Sequence, residues 1–401
     1  MTGSPLEVRA ERRMVLALAG IQFTQVLDFV LVMPLGPQLM RQFSVSASEF
    51  GLLVSVYMFA AAASGVVASA FVDRFDRRHA LLWLYAGFCL AVLGCAFAAG
   101  FAMLVCTHAA AGAFGGVLGM QVHAMIGDTI PDVRRGAATG LVMSAFALAS
   151  VLGVPVGLVI ADAAGWRAVF VALAAGSAAL LALAAWVLPP VRSHLAARRE
   201  GRFLGAIVLV LRERNHLRAF ALVSLLMLGG FSVIPYLAPY WVHNVGVKES
   251  ELWLLWFFGG AATLFTSRWI GRQVDLRGKQ RVFRMVALAS LPSLLIATHL
   301  PPVHVSIAVL TSVLFMTTVS GRFVPAMALV NAAASPGLRG TFLSLSGAVQ
   351  QASAGLASLL AGAAIGHRAT GELTGYGAIG WFAALVTLCA VWVARRVRSV
   401  S

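Results

Sequence analysis

The run QFTQVLDFVLVMP (22–34) contains Asp28, which of the fifteen acidic residues in the chain is the one placed well inside an apolar stretch. A charge at the centre of a membrane helix costs about 2.5–3.5 kcal/mol on insertion scales, so an ionisable group kept there points to function. Desolvation favours its neutral form, whereas a cationic substrate or a nearby arginine favours the charged one. A carboxylate held between those pulls can take up and release a proton. The alternative is a protonated Asp28 hydrogen-bonded to a neighbouring helix. Downstream, His108, Gly112, Gly115, Gly116, Gly119 and His123 recur at steps of three and four, which puts them on one helical face. Histidine titrates near neutrality and suits a proton relay. The competing reading is a pair of packed histidines beside small residues that let another helix come close. Arg322, in SGRFVPAMAL, either meets a carboxylate of a solute or snorkels to the interface. Gln22, Gln25, Gln350 and Gln351 are polar groups for a cavity wall, or glue between helices.

These residues need rigid carriers, and composition says what kind. The chain is 60% hydrophobic and only 11% charged, against roughly a quarter charged in soluble domains. Twelve apolar runs are each long enough to cross a hydrocarbon core as a helix: 14–36, 49–71, 80–99, 103–126, 138–161, 167–188, 217–240, 251–270, 282–299, 303–326, 341–363 and 377–394. A barrel would need alternating segments of about 10 residues. The fold expected is therefore an all-α membrane protein with twelve transmembrane helices. Glu7, Arg9, Glu11, Arg12 and Arg13 lead into a first run too long for a cleavable signal. Pro34, Pro37, Pro155, Pro235 and Pro239 are expected to kink or break spans that line a cavity. Tyr236, Tyr240 and Trp241 read as aromatics at the membrane interface.

The net charge of +15 is unevenly spread. With a cytoplasmic N-terminus, 26 of the 30 Lys and Arg residues fall in or beside cytoplasmic segments, and only Arg41, Arg167, Lys248 and Arg368 fall outside. That asymmetry predicts both termini in the cytoplasm of a bacterial inner membrane. It makes anionic inner-leaflet lipid the partner of the basic surface, and excludes a nucleic-acid role. Cys89, Cys95, Cys106 and Cys389 lie inside apolar runs without CxxC spacing and read as small buried residues. Met120, His123 and Met125 do not share a helical face, so no metal site is expected. No phosphate-binding glycine loop or nucleophile–base arrangement occurs, which argues against an enzyme.

The two halves match at an offset of about 202 residues. SVSASEFGLL (44–53) aligns with GVKESELWLL (246–255), Asp73 with Asp275, and RGAATG (135–140) with RGTFLS (339–344). This predicts a bundle of six helices over 1–188, a cytoplasmic linker with an amphipathic helix over 189–216, and a second six-helix bundle over 217–401. Parallel half-repeats around a midplane site are a transporter architecture.

Over essentially its whole length the chain resembles a major facilitator superfamily transporter. FVDRFDRRHA (71–80) packs five charges into positions 73 to 78 and supplies Asp73, Arg74, Arg77 and Arg78 of the loop signature Gly-x-x-x-Asp-Arg-x-Gly-Arg-Arg; Ser69 and Asp76 stand at its glycines. The second copy keeps Gly271, Asp275, Gly278 and Lys279. ASVLGVPVGLVIADAAGWR resembles the antiporter signature of the twelve-span drug/proton antiporter group, with Gly153, Pro155 and Gly157 as key matches. LDFVLVMPLGPQL (27–39) resembles that group's first-span motif, with Asp28 as the acid, and the arabinose-efflux-like and bicyclomycin-resistance-like branch looks closest. His108 stands where the family's fourth-span motif usually has Arg. The resemblance implies proton-coupled efflux of a small organic solute such as a drug, sugar or siderophore, with no cofactor and one chain sufficing. An importer or facilitator of the same fold, or a transporter-like sensor, are the alternatives. The resemblance also implies that the charged knot latches the cytoplasmic side shut, Asp73 meeting a helix N-terminus or an arginine of the opposite half. Asp76 is expected either to form an extra ion pair or to strain its turn.

Overall fold

A computed structural model of the chain describes residues 5–69, 71–191, 203–368 and 371–400. The chain forms, in order, α1 (Pro5–Leu31), α2 (Gly36–Phe43), α3 (Ala47–Ser69), α4 (Arg77–Ala96), α5 (Phe101–Thr129), α6 (Asp132–Leu148), α7 (Val154–Ala164), α8 (Trp166–Val187), α9 (Phe203–Arg212), α10 (Arg214–Phe231), α11 (Ile234–Tyr240), α12 (Leu252–Arg277), α13 (Lys279–Thr298), α14 (Val305–Phe315), α15 (Phe323–Ala333), α16 (Arg339–Ala364) and α17 (Tyr376–Ala394). π-helical turns join α6 to α7 and α14 to α15, and extend α11. Among the described residues ten rods are long and apolar enough to span a membrane. The other two of the twelve expected, α12 and α16, are 26 residues each. Their polar content has a structural reason. α16 lies along α3, and α12 lies along α7, so each turns a face toward the other half of the chain rather than toward lipid.

Helices up to residue 191 pack mainly on one another, as do those from 203 onward. The outside is apolar, with Trp83, Leu90, Phe265, Leu310 and Trp381 exposed, whereas Asp28, His108, His216 and Arg322 are buried. That inversion is what a lipid solvent requires. Cys106 and Cys389 belong to the outer surface, contrary to the expectation that all four cysteines are buried. An all-α reading also missed one antiparallel pair, Gly366–His367 with Leu373–Thr374. Of the linker, 192–202 lies outside the described residues, and α9 docks Val210 into the interior.

The first span of each half breaks at matching places. α1 stops at Leu31, before Pro34, and restarts as α2; α10 stops at Phe231 and restarts as α11 with Pro235 near its start. Proline cannot donate to the preceding turn, and freed carbonyls need other donors. Tyr376 braces the break, its hydroxyl donating to the Val233 carbonyl at 2.9 Å beside the Tyr236 amide at 3.2 Å. Tyr236 donates to the Ser358 carbonyl at 2.6 Å, Tyr240 to that of Leu300 at 3.0 Å, and Trp241 is fully buried. These three aromatics are interior braces, a correction to their expected place at the membrane interface. Pro34, Pro37, Pro155, Pro235 and Pro239 are all buried.

Gly153, Pro155 and Gly157 have a packing role. A Cβ built on Gly153 would stand 2.7 Å from a Leu27 methyl, and one on Gly157 2.6 Å from a Leu31 methyl. Residues four apart on one helix thus receive leucines four apart on α1. Pro155, in the first turn of α7, follows the π turn at Ala149–Gly153, where no regular helical donor is needed. A Gly157→Val variant should lose roughly 1–3 kcal/mol of stability by overpacking. A thermal melt in detergent checks this, with Gly140→Ala, whose added methyl meets nothing within 4 Å, left unchanged or slightly raised.

Candidate functional site

Tyr57 on α3 is the hub of the first half. Its ring lies 4.9 Å from that of His108 and 5.4 Å from that of Phe29, and its hydroxyl accepts a hydrogen bond from Gln25 at 3.2 Å. Gln22 in turn donates to Gln25 at 2.9 Å. The glycine stripe on α5 makes this possible. Any side chain on Gly112 would overlap the Tyr57 backbone, and a Cβ on Gly116 would come within 2.6 Å of the Ala61 carbonyl. Small residues therefore bring α3 and α5 into backbone contact.

Asp28 is fully buried in this half, close enough to Tyr57 and Cys95 to interact electrostatically with both. Among the described residues neither carboxyl oxygen has a hydrogen-bond partner, and no cation pairs with it. His108 is equally buried, with Nδ1 unpartnered. His123 is exposed and stands fifteen residues along α5, about 22 Å away at 1.5 Å per residue, so the two histidines cannot share a proton directly. Gln22, Gln25, Gln350 and Gln351 are half-buried.

Arg322 does not snorkel to the interface. It is 2% exposed and points into the second half. Nη1 donates to Thr387 Oγ1 at 2.6 Å and to Ser290 Oγ at 3.5 Å, and Nε to the Val319 carbonyl at 3.2 Å. Its backbone follows a π turn that re-aims the side chain from lipid toward α13 and α17.

Among the described residues the halves touch from the end remote from the termini to mid-depth. A Cβ on Gly362 would lie 2.7 Å from the Ala47 carbonyl, and one on Gly51 2.9 Å from that of Ser358. Gly355 meets Ser55, Met58 and Phe59, and Gly260 faces Ser150 and Val151. The Arg41 guanidinium pairs with both carboxylate oxygens of Glu249, the longer contact 3.1 Å, and Glu249 holds the Arg41 charge more firmly than usual. At mid-depth Phe29 and Phe231 approach to 6.0 Å between ring centroids. They stand 202 residues apart, so they are mates under the half-repeat. At the end bearing the termini, by contrast, a Cβ on Gly127, Gly136, Gly140, Gly271, Gly340 or Gly347 would meet nothing.

The charged knot sits at that open end, and its described contacts are with its own half. Arg77 Nε donates to Asp128 at 2.9 Å, Arg78 to the Ala185 carbonyl, and the Arg77 amide to the Val191 carbonyl at 3.2 Å. Arg74 is exposed, and the Asp73 side chain lies outside the described residues. Asp76 caps α4, accepting from the Arg78 amide at 2.9 Å with φ at −54°. Its other carboxylate oxygen lies 3.8 Å from His79 Nδ1, so Asp76 caps the helix and also forms the extra pair that was one of its two expected roles. The equivalent position in the second copy, Gly278, begins α13 with φ at +83°, a conformation that favours glycine. Gly271 is half-buried, whereas Asp275 is exposed and Lys279 half-buried at the same end. The contacts that join the halves at the remote end involve Gly51, Gly355, Gly362, Arg41 and Glu249, with Tyr236 beside Gly51 and Gly362. Their signal in the sequence is the SVSASEFGLL/GVKESELWLL repeat, which contains Gly51 and Glu249.

Comparison with known proteins agrees with this architecture. The family model of the Major Facilitator Superfamily matches residues 18–358. An uncharacterised transporter of that type from Bacillus subtilis, YceJ, is 26% identical over 351 residues, 86% of this chain and 87% of that one. A probable sugar efflux transporter of Helicobacter pylori is 24% identical over 64% of each chain. Among solved structures, a D-xylose–proton symporter superposes with a TM-score of 0.75 at 18% identity, covering 94% of this chain and 96% of that one. A bacterial homologue of the lysosomal transporter Spinster does so at 0.74 and 14%, covering 99% of both. With a family match over most of its length and the same fold, the chain belongs to the Major Facilitator Superfamily.

Proposed function

We propose that this transporter exports a small polar organic solute, sugar-like in chemistry, in exchange for protons, by rocking its halves around a central site. The observation that carries the reading is the one-sided seal: packed glycines, Tyr236 and the Arg41–Glu249 pair at one end, open glycine faces at the other. Rocking about the Phe29–Phe231 contact would exchange which end is packed. The positive-inside pattern supports a cytoplasmic assignment for the end bearing the termini, and an inner-membrane location. Half-buried glutamines, which offer both donors and acceptors, suit a hydroxylated solute better than a charged one. The named sugar efflux relatives support the same class.

Asp28 is the coupling residue in this scheme. The surrounding packing accommodates the proton-bearing carboxyl, since an ionised one would have neither donor nor cation. Its hub neighbour Tyr57 joins it to Gln25 and Phe29, so solute and proton act on one cluster. The proton gradient then supplies the energy and a single chain suffices, with anionic lipid against the basic face.

In proteoliposomes Asp28→Asn should abolish solute accumulation driven by a pH gradient while leaving solute exchange at equal pH. Gradient-driven accumulation at the original rate would remove Asp28 from the coupling step, and accumulation in the same direction as proton flow would make the protein an importer. Gly355→Leu should pry the sealed end apart. A cysteine at Gln25 would then be labelled faster from the remote side and slower from the side of the termini, relative to the parent.

A further inference from the structure

Arg322 is a fully buried cation whose hydrogen-bond partners are all neutral. Thr387 Oγ1 donates its own proton to the Ala383 carbonyl at 2.7 Å, and Ser290 Oγ to that of Ala287 at 2.7 Å. Both hydroxyls are thereby fixed as acceptors toward Nη1. Nη2 is buried with no acceptor, and no carboxylate pairs with the guanidinium among the described residues. A buried charge is ordinarily paired, because water no longer solvates it.

The space facing Nη2 is formed by two consecutive glycines. A Cβ on Gly229 would stand 3.7 Å from Nη2 and one on Gly230 3.8 Å, so the bare face of α10 lies opposite the unpaired donors. Both glycines directly precede the break at Phe231, where the helix is least held. Under the half-repeat Gly230 is the mate of Asp28. The first half thus carries a buried carboxyl at that position of its first span, whereas the second leaves the position bare and brings a guanidinium from the turn before α15.

We propose that Arg322 Nη2 and the Gly229–Gly230 face form a site for one small monovalent anion, which neutralises the second half from within. Two sources share this chemistry, a free halide and the carboxylate of a small organic acid. The test is a thermal melt of the purified full-length protein in detergent, with isethionate exchanged for chloride, bromide or acetate at constant ionic strength. A site of this kind gives a saturable rise of about 2–4 °C, since a ligand that binds only the folded state stabilises it by mass action. A rise with chloride and bromide assigns an inorganic ion, and a rise with acetate alone assigns a carboxylate. The shift should vanish in Arg322→Met. Gly230→Ala keeps the arginine and adds one methyl at an ordinary contact distance, so it is expected to fold and to weaken the apparent affinity at least 10-fold. A parent whose melting is the same in all four salts overturns the proposal, as does a saturable shift of equal midpoint in both variants.

Discussion

A lipid solvent cannot repair a hydrogen bond, and the structure depends on that constraint. Wherever a span breaks, another side chain must take up the freed groups. The tyrosines at 236, 240 and 376 brace the broken first span of the second half against its neighbours, each donating to a backbone carbonyl of another segment. At the remote end Asn244 forms paired bonds with the backbone of Leu373, and at the other end Asn215 does the same for Arg398. Aromatic and amide groups that would face water in a soluble protein are drawn inward.

The same constraint explains how the halves hold together. Lipid offers no hydrophobic drive for one helix to leave it for another, so close packing and backbone proximity must supply the attraction. Glycine is the means. On α5 it lets Tyr57 sit against His108 and Phe29, and on α3 and α16 it lets the halves meet. The close approaches between the halves run from the end remote from the termini to mid-depth, and the fully buried carboxyl of Asp28 is next in sequence to Phe29, which makes the mid-depth contact.

Much of this could be read from the chain. Run lengths, basic asymmetry and the 202-residue repeat are properties of composition and order, and they located the spans, although α1 begins before the expected residue 14 and α12 runs past the expected residue 270. Asp28 stood out because a carboxylate in an apolar run is costly wherever that run packs. The gate did not stand out. Gly51, Gly355 and Gly362 are three of 39 glycines, and nothing local distinguishes a glycine pressed on a carbonyl from one facing open space.

The sequence by itself determined the spans, their half-repeat and the rarity of Asp28 and Arg322, because hydrophobic length and charge are local quantities. Only the tertiary structure decided where those groups point. It turned Arg322 away from lipid into the second half, made Asp76 a cap, moved Tyr236 and Trp241 to the interior, and put the seal opposite the charged knot. Each of these depends on which helix comes within a few ångströms of which, and that is set by packing between segments up to about three hundred residues apart, as between Gly51 and Ser358.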